Sequence, residues 1–354
     1  MSLDPKQIDD LVALTDQKFV KKWAFLDLQT DITDFVAVRE LLGKHKTTFE
    51  GGLDWEFEAS VDHNHSARFT GLYDNDGGSV TDTFIKGKVA PRFIDANYIY
   101  DIREPVFQRG GLAIVDYLKT KYLSMRLSYL DLLEKTLWGK PADATDEKTP
   151  YGLAFWITKQ SNANASGHAT GAFDGLDPAG FPLGRAGISS TNQPRWANWA
   201  AQYENVSKAD LVQKMRRASR KIAFRSPISH ATPDVGKMGN GIYVGDAVIG
   251  ALEEILEAQN MNLGNDVASK DGKTLFKGTP VTYAPMLDND STDPVYMVDW
   301  KWMALGMMGG WAERVSAPRE VPGKHNVRQV FLDSGVNMVC TDLRRQAVIH
   351  KALS

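Results

Sequence analysis

Residues 111–138, GLAIVDYLKTKYLSMRLSYLDLLEKTLW, constrain this chain more than any other stretch. Val115, Leu118, Tyr122, Met125, Tyr129, Leu132 and Leu133 recur at steps of three and four, the apolar stripe of an amphipathic helix. Gly139 offers a left-handed C-cap and Pro141 cannot continue a helix, so the stop is explicit. At about 1.5 Å per residue the predicted rod is roughly 40 Å long, beyond the usual three or four turns. Its other face carries Lys119, Lys121, Arg126, Asp131, Glu134 and Lys135, which predicts water or a partner's polar surface there. A single seam on so long a helix suits a beam against which something flat is laid. A long core helix in an ordinary enzyme is the competing reading.

With 354 residues, the chain can hold two subdomains and a sizeable core. Charged residues make up 24% and apolar residues 43%, a globular balance, and the net charge of −3 gives no global basic field for nucleic acid. The single cysteine, Cys340, excludes an internal disulfide framework and a thiolate zinc cluster. It stands in the apolar run Val336–Cys340, where a small buried hydrophobe is expected rather than a nucleophile. The opening MSLDPKQIDD lacks the basic and apolar regions of a signal peptide, and no window approaches about 18 uninterrupted apolar residues. A soluble product of a reducing compartment is the expectation.

In chain order, Asp4 and Pro5 start a predicted helix over 4–20, and Phe35, Val38, Leu41 and Leu42 give a second over 31–42. Residues 1–50 have small apolar stripes and no core of their own, so they read as an arm, or alternatively as a cap on the main domain. Leu53 to Ala59 alternate apolar with acidic residues, a half-buried strand. Residues 68–73, 81–89 and 93–102 read as further strands around the turn Asp74-Asn75-Asp76-Gly77-Gly78, so that 53–100 predicts one long β-hairpin. A two-stranded ribbon is marginal alone and is expected to lie on another surface, such as another subunit. Residues 140–150 are a polar linker, 151–157 (YGLAFWI) a strand candidate, and 158–195 a Gly- and Ser-rich loop. A helix over 207–224, capped by Ser207, faces Leu211, Met215, Ala218 and Ile222 inwards. Ile242–Val244 predicts a buried strand feeding a helix over 246–260, with strands following at 281–284 and 295–300. Strands at 327–332 and 336–340 flank a predicted turn at Asp333-Ser334-Gly335, and Ala347–Ile349 is the last strand.

Motifs that carry chemistry are weak. His63-x-His65 lacks further ligands at useful spacing, since His45 and His168 stand far off in polar loops. Asp74-x-Asp76 departs from a calcium loop in the position of its glycine and lacks the closing glutamate, so a hairpin turn explains it. Asp288-x-Asp290…Asp293 is an acidic loop whose default reading is a solvated turn. Asp299, after the apolar YMV run, could pass for a catalytic carboxylate, although nothing nearby supplies a base or cofactor cradle. No nucleophile elbow, phosphate loop or dinucleotide fingerprint is present in the sequence. Catalytic, cofactor-binding and metal residues are therefore all expected to be none. Lys214, Arg216, Arg217, Arg220, Lys221 and Arg225 form a basic run, read as a solvated or subunit-contacting face. A nucleic-acid face is disfavoured because no aromatics interleave and the net charge is negative. Trp196, Trp199, Trp300, Trp302 and Trp311, with Met297, Met303, Met307 and Met308, exceed what one modest core requires and point to an interface centre, with an aromatic-lined pocket as rival.

The order of elements is a helical arm, a long hairpin, a long capped helix, a loop-rich α/β insertion and a return of strands. With it come the segments GGLDWEFE, 111–138, GISSTNQPRWANW and NMVCTDLRRQAVI. In this combination the chain resembles the major capsid proteins of tailed bacteriophages, the Hong Kong 97-type fold, an α+β class. The resemblance covers nearly the whole chain and rests on architecture, since that family has no strict short motif. It implies an N-terminal arm (1–50), an extended loop (51–100), a peripheral domain with the spine helix (101–145), an axial domain (146–309) and peripheral C-terminal strands (310–354). It implies a non-enzymatic subunit without cofactor that self-assembles through hexamers and pentamers into an icosahedral shell around phage double-stranded DNA. Implied partners are a scaffolding protein, a portal and a decoration protein, with packaged DNA held weakly and non-specifically, and no membrane. Implied locations are the host cytoplasm during assembly and then the virion. Some members crosslink a loop lysine to an asparagine; Lys86 and Lys88 lie in the hairpin here, but no partner asparagine matches, so crosslinking is not implied. A cellular nanocompartment shell of the same fold is a variant of this reading. The alternatives from other classes are a metal-dependent or glycan-active enzyme using Asp288, Asp290 and Asp299 in an aromatic-lined cleft, and a nucleic-acid-binding protein using the 214–225 helix.

Overall fold

Two sheets and one long helix organise the chain. The computed structural model describes residues 34–60, 67–74, 84–103, 111–159, 171–223, 241–260 and 274–352, with backbone alone at 60, 111–119 and 256–260. In order these form α1 (Val36–Lys44), β1 (Lys46–Phe49), β2 (Trp55–Ser60), β3 (Phe84–Val89), β4 (Arg92–Asp101) and α2 (Gly111–Trp138). Then come α3 (Leu153–Trp156), β5 (Ala172–Gly175), β6 (Asn198–Gln202), α4 (Leu211–Ile222), β7 (Gly241–Val244) and α5 (Asp246–Asn260). The remainder is strand: β8 (Leu275–Phe276), β9 (Thr279–Tyr283), β10 (Val295–Val298), β11 (Met303–Met308), β12 (Arg314–Val315), β13 (Arg319–Val321), β14 (Lys324–Cys340) and β15 (Ala347–His350).

The long helix spans the predicted residues, with its seam at Met125, Tyr129, Leu133 and Leu137, four apart and buried. Leu132, read as part of the stripe, is 47% exposed instead, because its neighbour Leu133 takes the core position. The stop is made differently from the expected cap. Gly139 lies outside the left-handed region and donates its N–H to Thr136 O at 3.1 Å. Gly152 lies against the helix end so closely that a Cβ there would stand 2.3 Å from Thr136 O and 2.4 Å from Gly139 O.

The first sheet contains β1, β4, β11, β12, β13 and β14. β14 is one strand of 17 residues, with no turn at Asp333-Ser334-Gly335. Ser334 is buried, and Gly335 admits Met308 and Phe93 so near that a Cβ would lie 3.1 and 3.2 Å from them. Small residues serve close packing here, although they read as a turn. β4 pairs antiparallel with β14 from Arg92↔Val336 to Asp101↔Val327, so it leaves the hairpin and joins the body. β1, placed in the arm by the sequence, pairs parallel with β11.

The second sheet runs β5-β6-β15-β10-β7-β9-β8. Its strand β15, read as part of a peripheral C-terminal unit, lies between β6 (parallel) and β10 (antiparallel). Residues 151–157 form the helical turn α3 and not a strand. Leu153, Phe155 and Trp156 are all buried, and all-round burial erases the period that separates the two. α4 and α5 cover one core with Trp199, Ile242, Val244, Met297 and Ile349; a larger core joins α1, α2, the first sheet and the opposite face of the second, including Tyr243, Tyr296 and Val348. As predicted, Leu211, Met215, Ala218 and Ile222 face inwards. The helix starts after Asp210, whose N–H donates to Ser207 Oγ at 3.1 Å. Residues 68–73 are not strand, and the predicted helix over 4–20 falls outside the described residues.

Two segments cross between the sheets side by side: Asp299–Trp302 from β10 to β11, and Thr341–Gln346 from β14 to β15. Asp299 N–H donates to Gln346 Oε1 at 2.9 Å, Gln346 Nε2 donates back to Asp299 O at 3.1 Å, and Thr341 N–H donates to Trp302 O at 2.9 Å. Among the described residues no helix is long and apolar enough to cross a membrane.

Candidate assembly surface

The ribbon β2–β3 is a two-stranded sheet of its own, with Trp55 opposite Val89 and Ser60 opposite Phe84. Its root is fixed to the body. Trp55 and Val89 are buried, Phe49 stacks on Trp55 at 4.6 Å between centroids, and Phe57 stacks on Trp196 at 5.9 Å. Lys88 N–H donates to Ala186 O at 2.9 Å. Gly87 and Gly306 leave room for those rings, because a Cβ at either would come within 2.4 Å of Phe57 or Trp55. Away from the root the residues are exposed: Phe84 at 62%, and Phe69, Leu72 and Tyr73 almost entirely. The adjoining outer face of β4 adds Phe93 and Ile99. Large apolar side chains exposed in several consecutive stretches of one region, and not singly, mark a contact surface. Lys86 and Lys88 form a charged ladder with Glu56 and Glu58 across the ribbon. Lys88 beside Glu56 holds that carboxyl below its usual range.

A second constellation joins α1 to the long helix. Glu134, expected on the watery face, is buried. Oε1 accepts from Ala37 N–H at 3.0 Å and Trp138 Nε1 at 2.7 Å, and Oε2 accepts from Val38 N–H at 2.8 Å. The carboxylate therefore caps the first turn of α1, where unpaired N–H groups and the helix dipole favour an anion. Burial pushes its proton affinity up even so, against the three hydrogen bonds. This residue was missed because helix spacing reports a face and says nothing of a distant helix end.

The loop-rich segment is held by Arg185, fully buried, which donates to Trp156 O at 2.6 Å, Asn198 Oδ1 at 3.0 Å, Leu176 O at 3.1 Å and also to Gly175 O. Burial lowers its pKa to about 10. Asp177 accepts from Ser190 N–H at 2.9 Å and Ser189 Oγ at 3.0 Å. Order in this loop thus comes from polar side chains bonded to backbone, a pattern that composition leaves unspoken.

The acidic residues are engaged by their own chain. Asp288 accepts from Asp246 N–H at 2.8 Å and from Tyr283 OH, capping α5. Asp290 pairs with Lys159 and accepts from Thr292 Oγ1 at 2.7 Å. Burial works to raise its pKa, and these partners hold it below the usual carboxylate range. Asp293 pairs with Lys351 at 2.5 Å. Asp299 is buried in the crossover, raised by that burial, and accepts from Lys301 N–H. The structure therefore does not bring Asp288, Asp290 and Asp299 together as a cleft, and among the described residues no His, Cys, Asp or Glu cluster could hold a metal ion. His63, His65, His168 and Asp76 lie outside those residues. His45 stacks on Trp300 at 6.4 Å, and Asp74 accepts from Gly71 N–H at 2.6 Å.

The aromatic and methionine clusters are core, not interface. Trp196, Trp199, Trp300, Met297, Met303 and Met307 are buried, and Cys340 is buried with its thiol pushed up by desolvation. The second sheet is buried on both faces, Tyr243 and Tyr296 toward the larger core and Ile242 and Met297 toward the smaller, so it needs more large side chains than the one core assumed from sequence. Only Trp311 of these tryptophans is counted among the exposed large apolars, at 39%, under the Arg314 guanidinium at 4.7 Å.

No protein-family model matches the sequence, and no curated protein matches it. Solved structures do. The capsid of a native GTA particle is 9% identical and covers 97% of this chain and 98% of its own, at a TM-score of 0.58. The capsid of cyanophage A-1(L) is 14% identical over 97% and 99%, also at 0.58. The holo-SrpI encapsulin complex from Synechococcus elongatus is 10% identical over 99% and 96%, at 0.51. At these identities the likeness is one of fold: the chain has the α+β, Hong Kong 97-type fold of tailed-phage capsids.

Proposed function

We propose that this chain is a shell subunit, the major capsid protein of a tailed phage, which assembles with copies of itself into a closed icosahedral particle around double-stranded DNA. The observation that carries the reading is the ribbon and the stretch between its strands: Leu53, Phe69, Leu72, Tyr73 and Phe84 present apolar surface that the other described residues leave uncovered. Its exposed edges and side chains are satisfied on the next copy, a heterologous contact that closes when the rotation between copies closes. The subunit works without catalysis or cofactor. Residues 1–44 act as the arm, 51–89 as the extended loop, the first sheet with the long helix as the peripheral domain, and the second sheet as the axial domain. A scaffolding protein, a portal and a decoration protein complete the head, which is built in the host cytoplasm and becomes the virion.

Size-exclusion chromatography and negative-stain imaging of the purified protein test this. Rings or spheres of megadalton mass support it, and a stable monomer at every concentration overturns it. The encapsulin-like fold gives a second reading, a protein-filled compartment. Nucleic acid inside particles isolated from the host supports the phage head, and enclosed protein in its place supports the compartment.

A further inference from the structure

Helix α4 carries its cations in two ranks: Arg216 and Arg220 stand one turn apart, as do Arg217 and Lys221. Like charges at this spacing repel and weaken a helix. The turn between β8 and β9 brings a further one, since Lys277 Nζ donates to Ser219 Oγ at 2.6 Å. Burial first, and then Arg220 and Arg216, push that ammonium below the usual lysine range. The buried face of Leu211, Met215, Ala218 and Ile222 explains why the helix is attached. It does not explain why the other face gathers cations.

Lys214, on the same helix, pairs with Asp210. By contrast, among the described residues Arg216, Arg220, Lys221 and Lys277 meet no carboxylate; Arg220 Nε reaches only the backbone, Arg216 O at 3.3 Å. Between this face and the strand edge opens a hollow of about 620 Å³, lined by Gly171, Trp199, Arg217, Arg220 and Lys221. The sequences flanking these elements offer little compensation. Residues 160–170 contain no Asp or Glu, and 224–240 contain Asp234 alone against Arg225 and Lys237.

We propose that this cationic hollow is a binding site for the phosphodiester backbone of nucleic acid, the place where the shell subunit touches the polymer it encloses. The proposal rests on the shell reading and gives its weak DNA contact an address. A second copy presenting the same patch is repelled, so the face is not a symmetric contact. The hollow is open, and Arg217, Arg220 and Lys221 stand at its wall beside Gly171 and Trp199, which suits a line of phosphates lying across it better than a small anion held inside it. With a net charge of −3 the rest of the surface does not reinforce the contact. A handful of cations then gives a hold that is non-specific and steeply dependent on salt.

The test titrates the full-length protein with a fluorescently labelled DNA duplex over a range of salt concentrations. Two triple variants are compared, R216Q/R220Q/K221Q and the equally charged control K44Q/K135Q/K148Q. The expected result for the first is a log–log salt slope smaller by about 3 and affinity at least ~10-fold weaker in low salt, with the control near the parent. Equal losses in both variants, or none in either, overturn the site. Displacement of the duplex by polyglutamate as readily as by polyphosphate overturns its assignment to phosphate. All the substituted cations lie on the surface, and thermal melting verifies that each variant is folded. Imaging in parallel keeps the two readings apart. Particles from a variant that has lost DNA binding uphold both, whereas a parent protein that binds DNA and forms no particles sinks the shell and leaves the site standing.

Discussion

At the scale of single residues, the fold turns on distinctions that periodicity cannot draw. Leu132 and Leu133 are equally apolar and adjacent, and the stripe accommodates either, yet one is buried and the other half exposed. Leu133→Ala should cost about 2–5 kcal/mol in denaturant unfolding, by cavity formation. Leu132→Ala should stay within about 0.5 kcal/mol. Equal costs would show that the helix is rotated from its described orientation. Glu134 is a sharper case, because a mixed-charge helix face hides one carboxylate with a buried task. Glu134→Gln retains a single carbonyl acceptor where three N–H groups converge. The expected loss is about 1–3 kcal/mol, with a lower melting temperature and faster hydrogen exchange at the Ala37 and Val38 amides. Unchanged exchange there would deny the cap.

At the scale of elements, ends written in local chemistry were legible and ends made by distant chain were not. The long helix begins and stops where its residues predict, and the buried strand Ile242–Val244 feeds its helix as expected. The manner of the stop was hidden, since Gly152 arrives from beyond a linker. Gly152→Ala should cost about 1–3 kcal/mol by overpacking against the carbonyls of Thr136, Leu137 and Gly139. Asp333-Ser334-Gly335 imitates a turn because small residues serve close packing as well as bends. Within that strand Asp333 stands directly opposite Asp95. Burial first, then Asp95, raises the Asp333 pKa. A raised native value means that the folded state keeps the proton to higher pH. The associated stability is present below the unfolded carboxylate range and is lost as pH climbs through the native value. Asp95→Asn should therefore stabilise by up to about 1 kcal/mol at pH about 7 and by nothing near pH 3, read as melting temperatures at the two pH values. A gain of equal size at both would exclude charge as its origin.

At the scale of the whole molecule, the order of elements carried the resemblance while sheet membership stayed out of reach. Nothing local tells β4 to leave the ribbon for β14, or β15 to enter the other sheet, because the pairing partners are distant in the chain, Arg92 with Val336 and Trp199 with Ala347. The candidate surface was legible in outline, as a ribbon with too little to bury. The core role of the tryptophans was not, because sequence does not say how many cores must be filled. Replacing residues 61–83 with a short turn keeps the β2–β3 ladder and the buried Trp55 and Val89. The expected product is a body that melts at the parent temperature and builds no closed particles in negative stain. Normal particles from this deletion would remove the ribbon from assembly.

The paired crossovers have a mechanical meaning. Two seams laid side by side and stitched by Gln346 and Thr341 resist a relative twist of the sheets that a single connecting strand would permit. Tyr243 and Tyr296 of the second sheet pack on Trp138 of the long helix and brace the same junction, so a push on either sheet is felt by the other.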